Sequence, residues 1–229
     1  MKKKNLQRQE NMSTRDKVLY AAATLFWEKG YEKVTIVEVA ARAGVNRGSV
    51  LFAIKSKENL LRTLVSYVLE STFSSSALLV GKADDPVLSY AAESALQLYM
   101  AESREEVREL AAVAYTLPTT SDLIYRKTAK RLSELFKPYN PDWEERDFYE
   151  REIASGSIMR GYMARPCDLY FTMERKMRVF LEATLAIYHV PEEKAGEAMQ
   201  FLSGLDFEDI AERAIEEMLN VLKTKHFSP

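Results

Sequence analysis

Apolar residues recur along this chain at three- and four-residue spacing, in stretches long enough to predict helices rather than many short strands. After Ser13, the positions Val18, Ala22, Leu25 and Phe26 form one face of a first helix. Lys29-Gly30 ends it, because Gly30 can take the left-handed conformation past a helix terminus and Tyr31 can fold back onto the last turn. Thr35 opens a second helix; its hydroxyl and Glu38, three residues on, make a capping box. Val39, Ala40 and Ala43 continue the inner face, and Gly44 stops this helix early. Asn46 then caps a third helix running to about Ile54.

Beyond it the same period predicts helices over Lys57–Leu79, Pro86–Glu102, Arg104–Leu117, Ser121–Lys137, Pro141–Ala164 and Thr172–Tyr188, a short one from Pro191, and Phe207–Lys223. Pro86, Pro118, Pro141, Pro166 and Pro191 fall where helices should start or stop, as a residue without an N–H requires. The expected fold is all-α. A flexible basic arm over residues 1–12 precedes a three-helix helix-turn-helix domain over 13–60. A larger helical domain fills 61–229.

Composition sharpens this. Only 8 glycines and 7 prolines interrupt 229 residues, enough chain to bury a sizeable core. No run of eighteen apolar residues is present, so no membrane partner is expected. The N-terminal lysines have no apolar stretch behind them, so a secretory signal is not expected either. The lone Cys167 excludes an internal disulfide and fits a reducing, cytoplasmic setting. The net charge of −2 hides an asymmetry: through Lys57 the balance is +7, and over the remainder it is −9. A small basic head on an acidic body suits a DNA-binding module fused to something else, although such a head can equally be a solvated face.

The second and third helices are short and joined by the tight turn Ala43-Gly44-Val45. Such a motif holds its third helix proud, so that the N-terminal end enters a major groove. The side chains there should be long, polar or small, and Asn46, Arg47, Gly48 and Ser49 are. Arg47 can fork onto guanine or onto a phosphate, and Gly48 allows close backbone approach. Thr35 and the free amides beside it can bind a phosphate. Lys55 and Lys57 follow where the DNA backbone should run. Phe52 either presses on a thymine methyl or packs. Three short helices with a glycine turn also occur in domains that never touch DNA, so spacing alone leaves both readings open.

The string as a whole is more specific. Thr14 to Leu19, Ala21-Ala22, Leu25-Phe26 and Glu28 to Tyr31 resemble the opening of the TetR family of transcriptional regulators. So do Val34 to Ala40, Ala43-Gly44-Val45, Arg47-Gly48-Ser49 and Lys55 to Leu61, in matching order and spacing. The resemblance implies a DNA-binding head, a homodimer formed by the last two long helices, and an effector pocket in the body, usually in a repressor. Two positions depart from the family pattern. Ile54 stands where Phe is common, a tolerable core exchange. Leu51 stands where Tyr is common and offers no hydroxyl to a phosphate.

By the same resemblance, Met173, Met177, Phe180, Leu181, Thr184 and Tyr188, with Phe207, Ile210, Ala211, Ala214, Met218 and Leu222, are expected to form the dimer seam; such stripes are otherwise ordinary core. Tyr, Phe and Met are frequent between Tyr67 and Phe171, and Tyr99, Tyr125, Phe148, Met159 and Tyr162 are the candidate effector contacts. No cofactor or metal is expected: His189 and His226 are far apart with no ligand spacing around them. No convergent catalytic set or phosphate-cradling loop is present, so an enzyme is not expected. Cys167 reads as a structural cysteine rather than a reactive thiol. The expected function is a repressor of a double-stranded DNA operator, released by a small, largely apolar effector. The alternative is an effector-binding helical protein that lacks operator-specific binding.

Overall fold

The computed structural model describes residues 12–81 and 85–224, and the expected basic arm lies outside them apart from Met12. Among the described residues there are eleven α-helices and a single 3-10 turn, and no strand. The head comprises α1 (Thr14–Lys29), α2 (Ile36–Ala43) and α3 (Arg47–Ile54). The body comprises α4 (Lys57–Val80), α5 (Pro86–Ser103), α6 (Glu105–Ala114), α7 (Pro118–Phe136), α8 (Glu145–Ala164), α9 (Met173–Ile187), α10 (Glu192–Ser203) and α11 (Phe207–Thr224).

Local chemistry sets the head's boundaries. Ser13 caps α1 by accepting from the Asp16 N–H at 3.1 Å. Thr35 and Glu38 form the expected capping box, with the Glu38 N–H on Thr35 Oγ1 and the Thr35 N–H on Glu38 Oε2. Gly44 takes the left-handed conformation at φ 68°, and its N–H closes on Ala40 and Ala41. Gly30 also has positive φ, but with ψ 164° it lies outside the left-handed helical region. The three helices enclose Val18, Leu19, Ala22, Phe26, Val39, Val50 and Ile54, with Leu60 and Leu61 of α4 closing the base.

Body boundaries differ from the sequence pattern at three helix ends, one of them the start of α7, expected at Ser121 and found at Pro118. The helix expected to reach Leu117 stops at Ala114, because Pro118 starts α7 and makes Leu117 its N-cap. The helix expected from Pro141 starts at Glu145, where Glu144 and Asp147 form a second capping box. Helix α5 is the body's axis. It contacts α4, α6, α7, α8, α9, α10 and α11, and buries Val87, Tyr90, Ala91, Ala92, Ala95, Leu96 and Leu98. By length and composition, α4 is the one helix among the described residues that could cross a membrane. It lies against α5 and α7, carries polar Ser66, Ser71, Thr72 and Ser74, and its Leu60, Leu61, Leu64 and Leu69 are buried.

Of the residues expected at the dimer seam, Met177, Phe180, Leu181, Thr184 and Tyr188 are buried within the single chain, where their helix packs on α5, α8 and α10. The last helix, α11, lies along α5 and α1 instead of standing free. Its Phe207 and Ala211 join the body core, Leu222 joins the head core, and Ile210, Ala214 and Met218 are half-buried on those two cores.

Candidate DNA-reading surface and effector cavities

Helix α3 sits at the rim of the head with one side turned inward through Val50 and Ile54 and the other fully open. Asn46 caps it by accepting the Ser49 N–H at 2.8 Å, so its Oδ1 is committed to the helix. Arg47 and Gly48 are exposed, Ser49 is half-buried, and Phe52 is 92% exposed. The Phe52 ring is therefore not packed within its own fold. Leu51 is 37% exposed beside it. Ser13, Thr14 and Arg15 at the start of α1 line the same shallow surface as Asn46, Gly48, Ser49 and Phe52. These three escaped the sequence reading because nothing in their spacing distinguishes them from an ordinary helix start.

Thr35 is exposed at the N-terminus of α2, with its hydroxyl already held by Glu38. Glu38 also accepts from Lys29 at 2.8 Å, and with the Thr35 bonds this holds its carboxyl down at about 2. Lys55 is exposed at the end of α3, with φ 65°. Lys57 is engaged within the head. Its ammonium lies 4.1 Å from the centre of the Tyr31 ring and donates to the Glu32 carbonyl, and burial lowers its pKa. It braces the head through a cation–π contact.

Two cavities lie behind this surface. The larger, about 140 Å³, is roofed by Ala23, Phe26 and Trp27 of α1 and walled by α4, α5 and α6, with Met163, Met218 and Leu222 completing it. No charged side chain lines it. The smaller, about 20 Å³, lies deeper, among Phe73, Tyr90, Glu93, Ser94, Glu152, Ser155, Met159 and Phe180. Gln97 and Tyr115 line both, so the two cavities share a wall.

The smaller cavity holds two buried carboxyls in opposite circumstances. Glu93 accepts from Arg131 at 2.7 and 2.9 Å and from Ser76 at 3.0 Å. Glu152 has no cation. Ser155 and Tyr188 both donate to its Oε2, and burial pushes its pKa up to about 8. Of the effector candidates named from sequence, Met159 alone lines these cavities. Tyr99 stacks on Phe207, Phe148 packs on Trp143, and Tyr162 packs on Phe171 and Phe180. Tyr125 lies behind the wall, against Tyr115, where an added Cβ on Gly156 would meet its ring at 2.8 Å. Cys167 is half-buried, its N–H donating to Glu102 and its thiol beside Met173.

A short helix held proud of a three-helix head, with its N-terminal side chains uncommitted except for one cap, is the geometry of a helix-turn-helix head. Residues 18–64, which make up most of this head, match the family described as bacterial regulatory proteins, tetR family. It is 31% identical over 123 residues to the HTH-type transcriptional repressor KstR2 of Mycolicibacterium smegmatis, covering 54% of this chain and 53% of that protein. It is 28% identical over 104 residues to the HTH-type transcriptional repressor BepR of Brucella suis, covering 43% and 48%. The chain thus spans about half the length of the curated relatives it matches. Its fold extends further. RolR in complex with resorcinol superposes with a TM-score of 0.64 at 17% identity, over 85% of this chain and 95% of that one. SmeT, the repressor of a Stenotrophomonas maltophilia multidrug efflux pump, gives 0.54 at 20% identity, over 76% and 89%.

Proposed function

We propose that the protein is a dimeric transcriptional repressor released from its operator by a small, largely apolar effector. The observation that carries this reading is the roof of the larger cavity. Ala23, Phe26 and Trp27 belong to the helix that carries the head, so a ligand there touches the DNA-binding element itself. Occupancy would favour one setting of α1 against α6 and α11 over another, and the head with it. Release follows only if the ligand binds the two settings unequally. The cavity is close in size to one that holds a single benzene ring, which sets the scale of the apolar part. That RolR is described with resorcinol and SmeT with triclosan supports ligand response in this fold.

Within this reading Arg47 and Phe52 read base edges, while Thr14, Arg15, Thr35 and Lys55 position the head on phosphates. The second copy docks on the outer face of α8 and α9. Ile153 and Val179 are exposed there, as are Ala154, Ser157, Gly161, Ala164 and Ala186, whose small side chains allow close helix approach. Leu169 and Tyr170, each 84% exposed in the α8–α9 loop, extend this face.

The test is an operator selected from random DNA and titrated with single-ring apolar ligands at fixed salt. Loss of operator affinity with at least one ligand that binds the protein is expected. Ligands that bind the cavity and never change operator affinity would overturn induction. Leu51 favours one rival, an effector-binding protein without operator specificity, because leucine offers no phosphate contact. Under the repressor reading, selection retains one sequence against competitor DNA, and Leu51→Tyr gains about fivefold in affinity with little change in preference. Under the rival, selection converges on nothing.

A further inference from the structure

The smaller cavity contains a group that an apolar ligand does not explain. Glu152 is 2% exposed, and nothing packed against it carries a free positive charge. From α5 it faces Tyr90 and Glu93, from the end of α6 Tyr115, from α7 Tyr125, and from the end of α9 Tyr188. Arg131, which reaches the neighbouring Glu93, is spent on Glu93 and Glu134. A carboxyl in such a place costs stability unless something charged pairs with it, and a methionine or glutamine would fill the space. The space is about 20 Å³, the size of one water or one ammonium group, and it adjoins the apolar cavity through the wall of Gln97 and Tyr115.

We propose that the effector is a primary amine, with its hydrocarbon part in the larger cavity and its ammonium group in the smaller one, paired with Glu152. This names the ligand class of the effector site proposed above, and rests on that reading only for its consequence at DNA. The pairing involves a proton. In the empty site Glu152 is protonated at neutral pH, since its pKa stands at about 8. The ammonium stabilises the carboxylate, so the carboxylic acid releases its proton to solvent as the ammonium–carboxylate pair forms. Each amine bound near pH 7 therefore releases close to one proton. Amine affinity rises nearly tenfold per pH unit below about 8 and levels off above it, until the amine itself deprotonates near pH 10. An uncharged isostere of the amine shows neither effect.

The test measures ligand binding to the full chain without DNA. Phenethylamine and phenethyl alcohol form one probe pair, hexylamine and hexanol a second, titrated calorimetrically in two buffers of different ionisation enthalpy. The wild-type chain should bind at least one amine tenfold or more tighter than its alcohol at about pH 8, with proton release near pH 7. In E152Q that preference should vanish while the alcohol binds as before. The wild-type pH series needs no variant and stands even if E152Q folds poorly. Amines and alcohols binding alike, no amine binding at all, or an amine preference that survives in E152Q would each overturn the proposal. Operator release is scored separately. An amine that binds with the expected proton release but leaves DNA affinity unchanged overturns the repressor reading and leaves the amine site standing.

Discussion

At the scale of single residues, two side chains divide the labour that the fold makes available. Arg47 stands exposed one position past the Asn46 cap, where α3 presents its free amides. Arg47→Ala should weaken operator binding by about 1–3 kcal/mol and relax sequence preference, as loss of a bidentate base contact does. Equal losses on operator and random DNA in a fluorescence titration would make it a phosphate contact. Glu152 acts on stability. Unfolded, its carboxyl loses its proton near 4.5; folded, it keeps it to about 8. Between those values the folded state holds a proton that the unfolded state has lost. The contribution is therefore fully present below pH 4.5, declines as pH rises, and is lost above about 8. E152Q cannot titrate. Denaturation in urea from about pH 5 to about pH 8.5 should show a downward slope in the wild type that is absent from E152Q, with the variant the more stable at the alkaline end. Parallel curves would show that the carboxyl ionises freely in the folded chain.

At the scale of elements, the head was legible in the sequence almost residue by residue, because its boundaries are written in local chemistry. Ser13, Thr35, Glu38, Gly44 and Asn46 each act within four positions of themselves. Helix type in the body was equally legible, since the 3.6-residue period survives whatever the helix packs against. Partners were not legible. An apolar stripe records that a face is buried and not what covers it, so the stripes on α9 and α11 read as well for a dimer seam as for the protomer core they occupy. The candidate cavity was hidden for the same reason: its lining gathers from seven helices, and aromatic frequency along the chain cannot tell a wall from a filler. Lys57 adds a third case, where a charge suited to DNA is drawn onto the Tyr31 ring. Helix α11 has a testable consequence. Leu222 is 1% exposed and joins the head core from the far end of the sequence. Leu222→Ala should cost about 2–4 kcal/mol in denaturant unfolding. A cost below about 0.5 kcal/mol would mean that α11 rests against the head without supporting it.

At the scale of the whole molecule, the proposed repressor needs two heads. A single α3 spans only a few base pairs, and sequence-specific binding needs two heads set about one helical turn, roughly 34 Å, apart on one side of the duplex. In the proposed dimer that spacing comes from a second copy joined through the body, and the choice of face decides where the heads point. The stripe Met177, Phe180 and Leu181 is already consumed inside the protomer. The opposite side of the same two-helix layer carries Ile153 on α8 and Val179 on α9, 42% and 43% exposed. The loop between these helices is anchored to α5. Lys176, 1% exposed, donates to Glu102 at 2.8 Å and to the Arg165 carbonyl at 2.6 Å, and the Cys167 N–H donates to Glu102 at 2.9 Å. Leu169 and Tyr170 are thereby held out beside the face rather than folded onto the body. Ile153→Glu combined with Val179→Glu should yield folded monomers in sedimentation, with the wild-type helical content and with operator binding reduced to the level of random DNA. Met177→Glu should behave differently. It places a charge in the protomer core and should unfold the chain before any dimer dissociates, visible as lost helix signal and a lowered melting temperature. A wild-type chain that sediments as a monomer at micromolar concentration, or a double variant that stays dimeric, would remove α8 and α9 from the interface. The spacing of the two heads would then have to come from another surface.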